Sequence, residues 1–313
     1  RSGLLDAATA AIARRGWSAT RLLCVVLAGS GLLSALLVND AVCLMATPLV
    51  ARLCRVGRLP PVPFLLAVAV GSNVGGTMTP VGTPQCVLIE RFSGLGYLDF
   101  TKVMAPVGLL ILGLACGGFA LGFRGALAGR RIAPVGAATP LDRPRARAFV
   151  VSLVAVVVGF AAGLPLAWTA LGGACLNAVL NRREPKDALA RVDWTLLVFF
   201  AALFVLVGGV ERAGWIARAV EGLSPWLGAD PSARPARFAA FSIGASNLFS
   251  NVPFVLVLGN GYPNASAAFW YQLALTSTLA GNLTLIGSVA NLIVAEQAHR
   301  EGVEVGFLDY LKI

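Results

Sequence analysis

Charge is scarce in this sequence. Asp, Glu, Lys and Arg make up only 13% of its 313 residues, about half of the ~25% usual in a soluble domain. Too few polar groups remain to cover a water-facing surface. Histidine occurs once, at His299, which excludes a multi-histidine metal centre. The six cysteines are Cys24, Cys43, Cys54, Cys86, Cys116 and Cys175, and none forms a CxxC pair. Five lie within apolar stretches and Cys54 at the end of one, so they read as small buried apolar residues and not as disulfides or metal ligands. There is no GK[ST] phosphate loop and no GxSxG elbow. With one histidine, a membrane-embedded enzyme lacks both its base and its metal cluster. No signal-peptide pattern follows Arg1.

Apolar residues are abundant, at 57% with a mean hydropathy of +0.79. The bilayer is therefore expected to be the solvent for much of the chain. The net charge is +10, from 25 basic and 15 acidic residues. The basic residues sit in short loops between apolar runs, which is how membrane topology is signalled and not how nucleic acid is bound.

Along the chain, residues 22–38 are apolar, Asn39-Asp40 intervenes, and residues 41–54 are apolar again. A 14-residue return limb is about 21 Å as a helix, short of the ~30 Å hydrocarbon core. Residues 22–54 are thus expected to form a re-entrant helical hairpin with Asn39 and Asp40 at its tip. Residues 62–89 are long enough to cross, but GSNVGGTMTPVGTP in the middle carries four glycines and two prolines. Proline removes a helical N–H and clashes with the preceding turn, so this helix is expected to be broken. Spans are expected over 103–123, 149–163, 166–180 and 194–210. The segment 211–235 reads as interfacial, with Trp215 and Trp226 as anchors. Residues 238–258 repeat the short limb and polar tip as SNLFSNVPF, and 267–298 are interrupted by AGNLTLIGS.

The two halves match each other. SALLVND from Ser34 aligns with SNLFSNV from Ser246, GTMTPVGT from Gly76 with GNLTLIGS from Gly281, and GYLDFTKV from Gly96 with GFLDYLKI from Gly306, at offsets of 212, 205 and 210. Asn39 then corresponds to Asn251, Thr79 to Thr284 and Gly82 to Gly287. The expected organisation is a first repeat over 1–123, a basic loop over 124–147 and a second repeat over 148–313. In the first half GYLDFTKV opens a span whose counterpart would follow Ile313, and residues 148–210 have counterparts only before Arg1. The chain is therefore expected to be a fragment, with about three spans preceding it and one following it. If 124–147 is cytoplasmic, the 25 basic residues divide 19 inside to 6 outside, and the two hairpins enter from opposite faces. Oppositely inserted hairpins in matching halves are the signature of inverted-topology repeats.

At VNDAVCLMATPLV, GGTMTPVGTPQCVLI, SNVPFVLVL and GNLTLIGSVANLIVAE the sequence resembles the ion-transporter superfamily. That superfamily includes arsenite permeases, sodium–proton antiporters of the NhaD type, citrate-transporter-like proteins and divalent-anion sodium symporters. The resemblance covers most of the chain. It implies an all-α membrane protein of two inverted repeats, each with one re-entrant hairpin and one broken helix. It further implies a scaffold that dimerises and a transport part that moves like an elevator, in a bacterial inner membrane. The site residues it carries over are Asn39, Asp40, Thr79, Gly82, Thr83, Ser250, Asn251, Thr284, Gly287, Ser288 and Asn291. Dicarboxylate symporters carry Ser-Asn-Thr at both tips, whereas these tips read Val38-Asn39-Asp40 and Ser250-Asn251-Val252, and Cys86 stands where many relatives have Asn. These departures favour the arsenite, antiporter-like and uncharacterised anion-permease branches.

The residues suit such a role. The N-terminal ends of a broken helix present N–H groups to an anion, and unwound carbonyls suit Na⁺. Asn, Ser and Thr oxygens complete a site without a fixed charge, so a transient Na⁺ is expected at Asn39, Thr79, Asn251 and Thr284. The alternative is close helix packing through small residues. Asp40, an acid at membrane depth, could bind a cation or cycle a proton; the bland reading is a helix cap. Glu90 and Glu296 are expected at the headgroups. The expected function is a permease for an inorganic or carboxylate anion or a metalloid, coupled to Na⁺ or H⁺, with no other cofactor, no enzymatic activity and no nucleic-acid partner. The alternative is a sodium–proton or arsenite–proton antiporter.

Overall fold

A computed structural model describes residues 16–132, 142–182, 184, 186, 189, 190, 192, 194–228 and 230–310. Among these the regular structure is helical, apart from one isolated bridge between Ser18 and Arg131. Contacts divide the chain into two compact units, Gly16–Ala133 with Val207–Ile313, and Arg1–Arg15 with Pro134–Leu206. Every candidate site residue, from either half of the sequence, lies in the first.

That unit opens with α1 (Ala19–Leu36), capped by the Ser18 hydroxyl, which accepts from the Arg21 N–H. Leu37 and Val38, both extended, turn the chain into α2 (Asn39–Val56). Asn39 and Asp40 therefore open the return helix and do not form the link. The return limb has 18 residues, about 27 Å, and α1 is long and apolar enough to cross a membrane. The return limb remains short of the ~30 Å hydrocarbon core but by less than its apolar run implied, so length argues less strongly for a re-entrant first hairpin. It argues more strongly for the second: α11 (Pro235–Phe249) and α12 (Asn251–Gly261) have 15 and 11 residues, about 22 and 16 Å.

The broken helices are as expected from their glycines and prolines. α3 (Pro61–Gly76) ends at Thr77, and the chain resumes as α4 (Pro84–Ser93), where Pro84 occupies the first turn and the Thr83 hydroxyl accepts from the Cys86 N–H. In the second half, α13 (Ala267–Ala280) ends at Gly281, a 3₁₀ turn covers Leu285–Gly287, and α14 (Val289–Arg300) follows Ser288. Thr83 and Ser288, the residues that start the resumed helices, share the same extended backbone, φ −143° and −144°.

Helix α5 (Tyr97–Gly122) packs on α1 and α3, and a short α6 (Arg124–Leu127) follows it. α1 and α3 approach backbone to backbone: a Cβ on Gly75 would lie 1.9 Å from the Gly31 carbonyl oxygen. A buried apolar cluster joins Cys86, Ile89, Phe100, Phe238, Phe254, Phe269 and Trp270, from both halves of the sequence. In the other unit, α7 (Arg143–Ala161) and α8 (Leu166–Leu180) pack together, with Gly159 against Thr169 and Gly173 against Val156. α9 (Trp194–Arg212) leads to α10 (Trp215–Leu227), whose Arg218 lies over the Trp215 ring, and α15 (Phe307–Tyr310) ends the described chain. Among the described residues α1, α5 and α7 are long and apolar enough to cross a membrane.

Candidate functional site

The first hairpin turn sits against the first helix break. The Asn39 N–H donates to the Gly82 carbonyl at 2.9 Å, and the Thr79 hydroxyl donates to the Ala35 carbonyl at 2.7 Å. Only glycine fits at position 82, because a Cβ there would lie 2.3 Å from the Gly76 carbonyl oxygen. The second half repeats the arrangement with side chains. The Thr284 hydroxyl donates to Asn247 Oδ1 at 2.9 Å, and Asn247 is the counterpart of Ala35. Oriented to satisfy its surroundings, the buried Asn251 amide donates to the Ser277 and Gly287 carbonyls at 3.1 and 3.2 Å. Ser250 links α11 to α12 at φ 70°, ψ 153°, a backbone region that is essentially glycine's.

A buried amide cluster joins the two halves, and its centre is a residue that reading for tips and breaks passed over. Asn73, 1% exposed on α3, accepts at Oδ1 from Asn39 Nδ2 (3.0 Å) and from the Ser288 hydroxyl (3.3 Å). Its Nδ2 donates to Asn291 Oδ1 (3.0 Å) and Asn282 Oδ1 (2.9 Å). Asn291 Nδ2 in turn donates to the Gly281 and Thr284 carbonyls, at 2.6 and 3.0 Å. The breaks differ in how they are held open: prolines interrupt the first, while in the second Asn291 takes up two carbonyls that the helix has released. The signal for Asn73 was present, a polar residue in an otherwise apolar α3, but the alignment pairs it with Thr278 and gives it no tip or break position.

The candidates thus divide. Asn39, Ser288 and Asn291 meet through Asn73, Thr284 joins them through its carbonyl, and Gly82 and Gly287 touch the tips of their own halves. The Thr83 hydroxyl is spent capping α4, and Gln85 donates to Thr278 at 3.1 Å. Asp40 is the only Asp, Glu, Lys, Arg or His that is buried among the described residues. Its backbone N–H is held by Asn39 Oδ1 at 2.9 Å. Val38 stands at the cap position of α2 and no side-chain capping bond is made there, so Asp40 is not the cap. No ion pair reaches it among the described residues. Two further hydroxyls were also missed: Ser34 and Ser246, counterparts one turn before the tips, are fully buried with no hydrogen-bond partner among the described residues. The Ser34 hydroxyl lies close to Gly76, where the first break begins. His299 is exposed on α14, and no group of three or more His, Cys, Asp or Glu gathers among the described residues.

This chemistry is neutral, oxygen-rich and buried, with one uncompensated acid beside it. It suits weak, reversible coordination of a small ion. Residues 1–280 match the citrate transporter family. The chain is 30% identical to the silicon efflux transporter LSI3 of Oryza sativa subsp. japonica, over 92% of this chain and 74% of that protein. It is 27% identical to the putative transporter arsB of Dictyostelium discoideum (90% and 70%) and 29% identical to the inner membrane protein YbiR of Escherichia coli K12 (95% and 75%).

Proposed function

Because the chain belongs to the citrate transporter family, and is thus an integral membrane transporter and not an enzyme, we propose that it is a cation-coupled permease for a small inorganic or carboxylate anion, working by elevator-type alternating access. The observation that carries this reading is the meeting of the first hairpin and the second helix break on one buried amide cluster, beside a buried acid that makes no ion pair among the described residues. Coordination by amide, hydroxyl and carbonyl oxygens holds Na⁺ without a permanent charge, and the N–H groups exposed where helices resume attract the anion.

Inverted repeats are part of the proposal, and the packing supports them. α1 lies on α3 as α11 lies on α13, and α2 on α3 as α12 on α13. Across the halves, α14 packs on α2 and α3 as α4 packs on α12 and α13. Such exchanged pairs are what a pseudo-two-fold axis produces. The topology read from the basic residues puts the ends of α2 and α14 on the same, cytoplasmic face, and Arg52 and Arg55 of α2 do pair with Glu301 just after α14. In this reading both hairpins are re-entrant, the protein is a homodimer of a bacterial inner membrane, and a cation visits Asn39, Thr79, Asn251 and Thr284.

A second reading, a sodium–proton or arsenite–proton antiporter, is favoured by Asp40, which could carry a proton across in place of a second ion. Uptake into proteoliposomes separates the two. The full-length protein is supplied with citrate, arsenite or silicic acid under imposed Na⁺ or H⁺ gradients. Accumulation driven by an inward cation gradient supports the permease; accumulation driven by an outward one supports exchange. Flux of all probes that is indifferent to both gradients would mean a channel and would refute coupled transport.

A further inference from the structure

The four amides at the centre are not interchangeable in direction. Asn291 Nδ2 must face the Gly281 and Thr284 carbonyls, because a carbonyl can only accept. Its Oδ1 is then committed as an acceptor, and Asn73 has to offer Nδ2 to it. That turns Asn73 Oδ1 toward Asn39, which has to offer its own Nδ2. Asn39 Oδ1 is left to receive the Asp40 N–H at the first turn of α2. A single direction of hydrogen bonding therefore runs from the carbonyls of the second break to the backbone of the first hairpin tip. Asn73 uses two donors and two acceptors, all that its amide has, and the described route from the second break to the first tip passes through it.

We propose that Asn73 is a positioning residue that couples Na⁺ on the second break to the conformation of the first hairpin tip. The inference rests on the cation-coupled reading above and assigns one ion and its route of action. Backbone carbonyls do not take up protons in the physiological range, so the ion at Gly281 and Thr284 is Na⁺. For Na⁺ to bind these oxygens, Asn291 must withdraw its Nδ2 hydrogens and turn Oδ1 toward the ion. Its Nδ2 then confronts Nδ2 of Asn73, donor against donor, and Asn73 relieves this by turning over; half-buried Asn282 turns with it to offer Nδ2 to Asn73 Oδ1, and the Ser288 hydroxyl changes from donor to acceptor. The same conflict passes to Asn39. When Asn39 turns, Oδ1 leaves the Asp40 N–H, and the first turn of α2 loses its side-chain acceptor. Two sets of amide orientations, one holding the Asp40 N–H and one releasing it, make the two-state element that coupling between separated sites requires, and Na⁺ favours the second. Asp40 stands at the receiving end, so binding at one repeat alters the setting of the acid on the other.

Hydrogen–deuterium exchange on the purified full-length protein tests this, with Na⁺ added against K⁺ at equal ionic strength. In the wild type, Na⁺ is expected to slow exchange in a peptide covering 281–288 and to speed it about tenfold or more at the Asp40 amide. In Asn73→Ala, 281–288 should still respond and the Asp40 amide should not. Asn73→Ser, which keeps one hydroxyl but cannot serve four partners, stands in if the alanine variant does not fold, and the same loss is expected. Wild-type protein that responds at 281–288 but not at the tip, or a tip that still responds in both variants, would overturn the relay while leaving Na⁺ coupling intact. No Na⁺ response in either segment would overturn the sodium site itself together with the relay, leaving protonation of Asp40 as the coupling step.

Discussion

The contact between α1 and α3 offers a test in which the magnitude comes directly from the geometry. Gly75→Ala would put a methyl carbon 1.9 Å from the Gly31 carbonyl oxygen and 2.3 Å from its carbon, where ordinary contact begins at 3.4 Å. The helices would have to separate by about 1.5 Å. Neither atom can move away by changing a rotamer, because both belong to backbone. Overpacking of this kind costs about 1–3 kcal/mol, and the gain in helix propensity from Gly to Ala returns at most about 1 kcal/mol. Gly117 on α5 is the control, since a Cβ there meets nothing within 4 Å, and its replacement by alanine should be neutral or stabilising. A net loss near 2 kcal/mol corresponds to a fall of about 3 °C in a chain of 313 residues. Thermal unfolding in one detergent, followed by tryptophan fluorescence, reads the difference. Asn73 lies half a turn before Gly75 on the same helix, so displacement of α3 should also lower gradient-driven uptake. If Gly75→Ala melts within about 1 °C of Gly117→Ala, the close approach of α1 and α3 is not what the structure implies.

Further outcomes follow from single residues. Asp40→Asn is nearly isosteric and removes the one buried acid among the described residues, so the protein should fold at least as stably while losing gradient-driven transport; variant protein that still accumulates substrate with unchanged Na⁺ and pH dependence rules out a coupling role. Ser250→Gly should gain about 1 kcal/mol by relieving the φ 70° backbone, whereas Ser250→Ala keeps that conformation; equal melting temperatures for the two would contradict it. Ser34→Ala and Ser246→Ala each remove a buried hydroxyl without a partner, which should raise stability by about 1 kcal/mol; if the hydroxyls serve a transported ion, uptake falls in the same variants, and a drop in stability would show that they are bonded after all.

Much of this protein is written in local pattern. Low charge and long apolar runs set the solvent, because a chain with so few polar groups cannot face water. Glycine and proline place the first break, since Pro80, Gly82 and Pro84 act on the backbone within one turn of where they stand. The matching of the halves also needs no coordinates, as both carry the same order of tip and break. The limits of each helix were less legible. Counting apolar residues ended the return limb at Cys54, but α2 runs from Asn39 to Val56 because polar residues are accepted at helix ends, and the added residues weaken the length argument for re-entry.

Asn73 shows where local pattern stops. On its own helix it is one polar residue among apolar neighbours, and its counterpart Thr278 marks nothing. Its role exists only because α3 brings it to Asn39 of one hairpin and to Asn282, Ser288 and Asn291 of the opposite break, more than 200 residues away. That no described residue pairs with Asp40 is equally a tertiary fact: an acid in an apolar run is visible in sequence, but whether an arginine reaches it depends on packing, and here Arg52 and Arg55 are drawn instead to Glu301. Propensity and hydropathy act over a few residues and are legible one segment at a time; a hydrogen-bond network and a missing counter-ion depend on which distant segments come within 3 Å of each other, and only the folded chain decides that.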